Sequence, residues 1–262
     1  MFASTDGPRA KIERAKEHIE QFSAEWSTAL RDVEPYRYFS EDDPDTGDRV
    51  YRVEVDDDTP AILQRLGLII GDAVHNLRAA LDLLAWQIVV ANEGKPTRFT
   101  YFPIADSRKE FESGGPKKVK GASEDAIELL WKIRPYKGGN VPLYRLHRLD
   151  IADKHRLLLT VGSAHLTTKV SYRLGSWQSG DIHLTPRART FPLKNKAELY
   201  RVPRAFRQSA ENQPEPEFIF EIAFGDGEIV KGEPVIPTLN ALVGEVEQII
   251  ESYDVLLWDI PF

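Results

Sequence analysis

Two stretches combine ionisable side chains at helical spacing. The first is Gly71-Asp72-Ala73-Val74-His75-Asn76-Leu77-Arg78-Ala79-Ala80-Leu81-Asp82. At about 100° per residue, His75, Arg78 and Asp82 fall on one side of a helix, with Asp72 one turn earlier. They form a polar stripe on the most apolar helical stretch of the chain. Ionisable groups in such a place must meet partners, water or a ligand, because burial of an unpaired charge is costly. The second stretch runs from Arg145 to Arg156 and carries His147, Arg148, Asp150, Asp153, Lys154 and His155. Seven positions separate Arg148 from His155, which returns them to nearly the same helical angle. An arginine and a histidine displayed side by side suit phosphodiester cleavage. The imidazole moves a proton, the guanidinium stabilises charge on a phosphorane-like centre, and neither needs a metal. Each stretch also has a purely structural reading. Arg78 can bond Asp82 and Asp72, and Lys154, His155 and Arg156 can complement the dipole at a helix C-terminus.

A divalent ion is the other chemical option, with His75, Asp82, Asp150, Asp153 and His155 as ligand types between two helices. Against it, His155 points away from Asp150 on their shared helix, and no HExxH or paired ExxH spacing occurs. The sequence has no cysteine, which excludes disulfides, thiolate-bound metals and thiol catalysis. No GxSxG, GxGxxG or GxxxxGK[ST] occurs, so nucleophile elbows and phosphate-binding glycine loops are unsupported. No metal and no cofactor are expected. The isolated His18, His165 and His183 read as exposed or strand-surface residues.

The net charge of −7 hides a division: residues 117–207 hold 19 Lys and Arg against 7 Asp and Glu, and the remainder holds 15 against 34. A basic middle in an acidic chain suits an anionic ligand or RNA, unless the acidic flanks pack beside it and neutralise it. A net acidic chain is a poor coat for duplex DNA, whose nonspecific affinity scales with phosphates neutralised.

These residues need elements to hold them, and the periodicity supplies an α+β fold. Helices are expected over 8–33, 60–92, 123–134, 142–159 and 237–254, with Thr59 capping the second and Pro60 as its first helical residue. The 60–92 helix is apolar on several faces and reads as the long buried centre of a bundle. Short strands at 36–39 and 50–55 make a small hairpin within 36–55. Residues 99–104 read as extended, and 113–121 as a Gly- and Lys-rich loop. After Val161 the texture alternates, giving an antiparallel sheet over 161–236 with strands at 166–174, 182–184, 189–193, 198–202, 217–224 and 228–230. The mainly helical 1–160, the sheet and the returning helix of 237–262 are expected to form one composite unit. The stripe of His75, Arg78 and Asp82 is expected to face the segment 150–156.

The combination of GDAVHNLRAALDLLAW at 71–86, Phe102-Pro103-Ile104 and LDIADKHRLLL at 149–159 resembles a family of uncharacterised bacterial proteins with a GD-x-x-HNLR-x-ALD helix and a later DKHR helix. That resemblance implies a kinship without a reaction, and directs attention to His75, Asn76, Arg78, Asp82, Asp153, Lys154, His155 and Arg156. Arg148 and His155, with six residues between them, are also similar to the Arg-x4-6-His motif of the HEPN helical-bundle ribonucleases. Leu149 departs from that motif, which prefers a polar residue after the arginine. The HEPN resemblance implies a metal-independent active site on a bundle helix, RNA as substrate, and a homodimer.

Three functions therefore stand side by side. One is a metal-independent ribonuclease, with His155 as acid/base and Arg148 or Arg156 as electrophile, assisted by His75 and Arg78. Another is a noncatalytic module that binds an anionic ligand or a partner, with Asn76, Asp82, Asp153 and Lys154 among the contacts. The third is a divalent-metal hydrolase. The acidic residues near the N-terminus do not make a signal peptide, and no apolar run reaches the roughly 18 residues of a membrane span. A cytoplasmic protein without a membrane partner is expected.

Overall fold

The computed structural model describes residues 3–155, 160–174, 178–184, 191–204, 215–225 and 230–258. In chain order the elements are α1 (Asp6–Asp32), β1 (Tyr36–Asp42), β2 (Arg49–Val55), α2 (Thr59–Ala91), α3 (Arg108–Gly114), α4 (Glu124–Ile133), α5 (Val141–His155), β3 (Thr160–Leu174), β4 (Gln178–Leu184), β5 (Glu198–Val202), β6 (Glu215–Phe224) and α6 (Val235–Trp258). The fold is α+β, with closely packed helices and antiparallel sheet. The described chain divides into two compact units.

The helical unit takes residues 1–24, 67–158 and 236–262. Its core is α2, where Ile70, Ala73, Leu77, Leu81 and Leu84 are fully buried. Ile12, Ala15, Ile19 and Phe22 of α1, Leu143 and Leu146 of α5, and Leu239, Val246 and Tyr253 of α6 are buried with it. Tyr253 donates its hydroxyl to the Ala126 carbonyl at 3.0 Å, fixing α6 to α4. One stripe of α2 escapes burial: Leu68 and Trp86 are 56% and 41% exposed, so this helix is central without being covered all round. His18 corrects the sequence reading, because it is buried on the flank of the α1 core face.

Two local departures have clear causes. The stretch 113–121, expected to be loop, holds the end of α3, whose helix starts at Arg108, and a 3-10 turn at Pro116–Val119. Ser107 caps α3 by accepting from the Glu110 N–H, and Phe111 anchors it in the core. A helix of seven residues is too short to declare itself by periodicity. Thr59, expected to cap α2, is itself the first residue of that helix. Its buried hydroxyl donates to the Pro35 carbonyl at 3.0 Å, tying the start of α2 to the turn after α1.

The other unit takes residues 25–66 and 159–235. It holds two three-stranded antiparallel sheets, ordered β1-β2-β5 and β4-β3-β6. The hairpin therefore recruits β5, which the sequence assigned to the main sheet. Tyr36 is buried between Trp26 and Phe220, and Tyr38 and Tyr51 meet Phe218, so aromatic rings fill the space between the sheets. The strand expected at 189–193 does not form at Phe191–Leu193, where Pro192 has no N–H for a ladder, and 189–190 lie outside the described residues. Val230 lies in a turn rather than a strand, and 228–229 lie outside the described residues.

Candidate functional site

The polar stripe of α2 divides between two jobs. Arg78 is buried and donates through Nη2 to the Phe102 carbonyl at 2.8 Å and to Asp82 Oδ1 at 3.0 Å. The same carboxylate oxygen accepts the Phe102 N–H at 3.0 Å. Both main-chain polar groups of one residue are thus gripped by a side-chain pair one helical turn apart. This meets the requirement that buried main-chain groups be paired where no ladder exists. Burial pushes the Asp82 carboxyl above its ordinary pKa, and the Arg78 charge and the Phe102 N–H pull the other way. Asn76 is tied to α1 and to its own helix, accepting from Lys11 Nζ at 3.1 Å and donating to the Asp72 carbonyl at 2.8 Å.

His75 turns towards α5. Its Nδ1 lies 3.2 Å from Asp150 Oδ1, and Lys154 Nζ donates to Asp150 Oδ2 at 2.6 Å. Asp150 is buried, so its carboxylate sits under two more exposed nitrogen groups. Asp153 presses against Gly71, where a Cβ would stand 2.3 Å from Asp153 Oδ1. A glycine is needed there because no side chain fits between α2 and that carboxylate. Burial and the neighbouring Asp150 and Asp72 raise the Asp153 pKa. The part of the stripe at residue 75 therefore meets 150, as the sequence suggested, and the part at 78–82 meets Phe102 instead.

Further along α5, Tyr144 donates its hydroxyl to Asp106 Oδ1 at 2.9 Å, and Arg148 Nη1 stands 4.0 Å from the same oxygen. Arg148 is exposed, and at that distance its ion pair is loose. His147, on an adjacent face, is half-buried. Burial and then the positive charge of Arg78 lower its pKa to about 4, so the imidazole is neutral near pH 7. Among the described residues, neither His147 Nδ1 nor Arg78 Nη1 has a hydrogen-bond partner. The backbone of α5 extends to residue 155. The His155 side chain and all of Arg156 lie outside the described residues.

Sequence reasoning missed Asp106, Tyr144 and the Phe102 main chain. Tyr144 stands one turn before Arg148, a visible i,i+4 relation. The other two belong to irregular backbone that no periodicity marks.

The basic middle of the sequence is partly neutralised by acids from its flanks. Arg201 pairs with Asp43 at 2.7 Å and with Asp48 at 3.5 Å, and Arg148 approaches Asp106. Among the described residues, no group of three or more His, Asp or Glu side chains is placed to hold a metal ion. No described helix is long and apolar enough to cross a membrane. Comparison with family models, curated proteins and solved structures finds no match for this chain.

Proposed function

We propose that this protein cleaves RNA without a metal, using the exposed face of α5 with Arg148 and His155 as its reacting groups. The observation that carries the reading is the contrast between its two arginines. Arg78 is buried and engaged by the main chain, whereas Arg148 is exposed and held only loosely by Asp106. A phosphate oxygen arriving at Arg148 trades a long ion pair for a bidentate charge-assisted contact. Residues 148 and 155 belong to one continuous helix, about 10.5 Å apart along its axis and about 20° apart around it. That offset places both positions on one side of the helix, and the long arginine side chain covers much of the axial span. The chemistry is an internal displacement. The His155 imidazole takes the proton of the ribose 2′-hydroxyl, O2′ bonds to phosphorus, and the P–O5′ bond breaks. The leaving oxygen takes up a proton, and the guanidinium of Arg148 offsets the charge on the phosphorane. Arg78, Asp82 and Asn76 then serve the frame of the site, and a cytoplasmic location fits an RNA substrate.

The second reading is a noncatalytic module that binds an anion. The pairing of Asp150 with both His75 and Lys154 favours it, since that arrangement resembles a fixed frame more than a proton relay. Incubation of the purified protein with labelled total RNA, with and without EDTA, separates the readings. Cleavage that survives EDTA and disappears in His155→Ala and Arg148→Ala supports the ribonuclease. RNA retained without cleavage, and released by Arg148→Ala, supports the binding module. Cleavage abolished by EDTA overturns both in favour of a metal enzyme.

A further inference from the structure

We infer that the free edge of β1 pairs with the same edge of a second copy of this chain, joining two β1-β2-β5 sheets across a two-fold axis at Phe39. This inference is independent of the reading of α5.

Among the described residues β1 is the terminal strand of its sheet, and residues 37–42 are exposed. The direction of its main-chain groups follows from its neighbour. Val53 exchanges hydrogen bonds with Ala197 and Lys196, at 3.0 and 2.8 Å, and the Val55 N–H donates to Asn195. Both residues therefore point away from β1. Their antiparallel partners are Tyr38 and Tyr36, which must then point away from β2, because main-chain groups alternate along a strand. The N–H and C=O groups of Tyr36, Tyr38 and Ser40 thus face the outer edge. An antiparallel copy centred on Phe39 sets Tyr38 opposite Ser40 on both sides of the axis, a seam of about four hydrogen bonds.

The side chains decide which strand fits. In that register Arg37 lies opposite Glu41 of the second copy, Glu41 lies opposite its Arg37, and the two Phe39 rings meet between them. Opposite charges and apolar pairs directly across a seam are stabilising, and like charges there are not. A parallel in-register copy sets Arg37 on Arg37 and Glu41 on Glu41. An antiparallel copy slipped by two residues separates every Arg37–Glu41 pair, and a slip of one sends the side chains to the opposite face. Charged edges ordinarily repel foreign strands. Here the order of the charges spares one partner, the chain itself. Arg37 and Glu41 have partners on β2 already, the exposed Glu54 at 3.6 Å and the half-buried Arg52 at 2.5 Å. Arg37 and Glu41 are themselves exposed, so each can be shared with a strand on the other side.

Two strands of seven residues make a narrow seam beside the roughly 1,200–2,000 Å² of stable complexes, so the dimer is weak and in the micromolar range. Sedimentation equilibrium of the full chain, from about 5 µM to about 0.5 mM, covers that range. The wild type is expected to show a monomer–dimer equilibrium. Glu41→Arg and Arg37→Glu each set like charges across both ends of the seam, and each is expected to weaken it at least about tenfold. An equimolar mixture of the two variants restores both pairs, so it is expected to dimerise at least about tenfold more tightly than either variant alone. Ser40→Pro removes an edge-facing N–H without removing a bond to β2, and is expected to abolish the dimer with the circular dichroism unchanged. A wild type that stays monomeric throughout overturns the inference. So does a dimer that survives both charge reversals, or a variant mixture that fails to associate.

Discussion

Replacing Arg78 with alanine tests whether this buried arginine belongs to the frame or to the chemistry. The substitution removes two charge-assisted contacts, to the Phe102 carbonyl at 2.8 Å and to Asp82 at 3.0 Å. Hydrogen bonds to a charged group contribute about 1.5–3 kcal/mol each, and a buried acceptor left unpaired costs about 1–3 kcal/mol. Asp82 recovers part of this loss, since its carboxylate is half-exposed and water can reach it. The net cost is about 3–4 kcal/mol, which lowers Tm by roughly 7 °C in a chain of this size. Thermal and urea unfolding give the measurement, and a double-mutant cycle with Asp82→Asn gives the mechanism. The asparagine keeps an oxygen for the Phe102 N–H and sheds the charge, so alone it costs about 1 kcal/mol. In that background Arg78→Ala costs about 1 kcal/mol less than in the wild type, because no carboxylate is left unpartnered. An Arg78→Ala variant that unfolds within about 1 °C of the wild type, yet no longer binds or cleaves RNA, would refute the reasoning and return Arg78 to the reacting groups.

Three further expectations follow from close contacts and from His147. Gly71→Ala ordinarily gains about 0.5–1 kcal/mol in a helix interior. Here its Cβ meets Asp153 Oδ1 at 2.3 Å, so urea unfolding should show a loss of about 1–3 kcal/mol, reversed to a gain when Asp153→Ala is added. Gly162→Ala sets a Cβ 2.2 Å from the ring and hydroxyl of buried Tyr36, and calorimetry should show a similar loss of about 1–3 kcal/mol. His147 has a folded pKa of about 4 against an ordinary 6.5, so between those values the unfolded chain binds a proton that the folded chain refuses. Stability therefore falls as pH drops from about 6.5 to about 4 and levels off below. The full shift corresponds to about 3 kcal/mol, reduced by solvent screening to about 1–2 kcal/mol. His147→Gln should flatten that part of the stability–pH curve, and an unchanged slope would show that the imidazole is not held neutral.

The helices were legible because their information is local. The three-and-four spacing of Ile12, Ala15, Ile19 and Phe22 marks the buried face of α1, and the seam from Leu66 to Ile88 marks α2. The ladder of β6 was legible from its alternation, and the meeting of His75 with the segment at Asp150 followed from polar residues on an apolar helix that had to find partners. Tertiary structure decided what remained, and for physical reasons. Phe102 lies in irregular backbone, and its grip by Arg78 and Asp82 depends on where a loop twenty residues downstream of Asp82 crosses the helix. The pairing of β5 with β2 joins strands about 150 residues apart, and alternation states that a strand exists without stating its neighbour. Gly71 looks like an ordinary helix glycine until Asp153 arrives against it. His147 and Arg148 are adjacent in sequence, and only burial beside Arg78 on one face and exposure beside Asp106 on the other divide them into a neutral imidazole and an accessible cation. Residue types and spacing determined which groups were capable of chemistry. The distances across packed helices decided which of them are engaged in holding the fold.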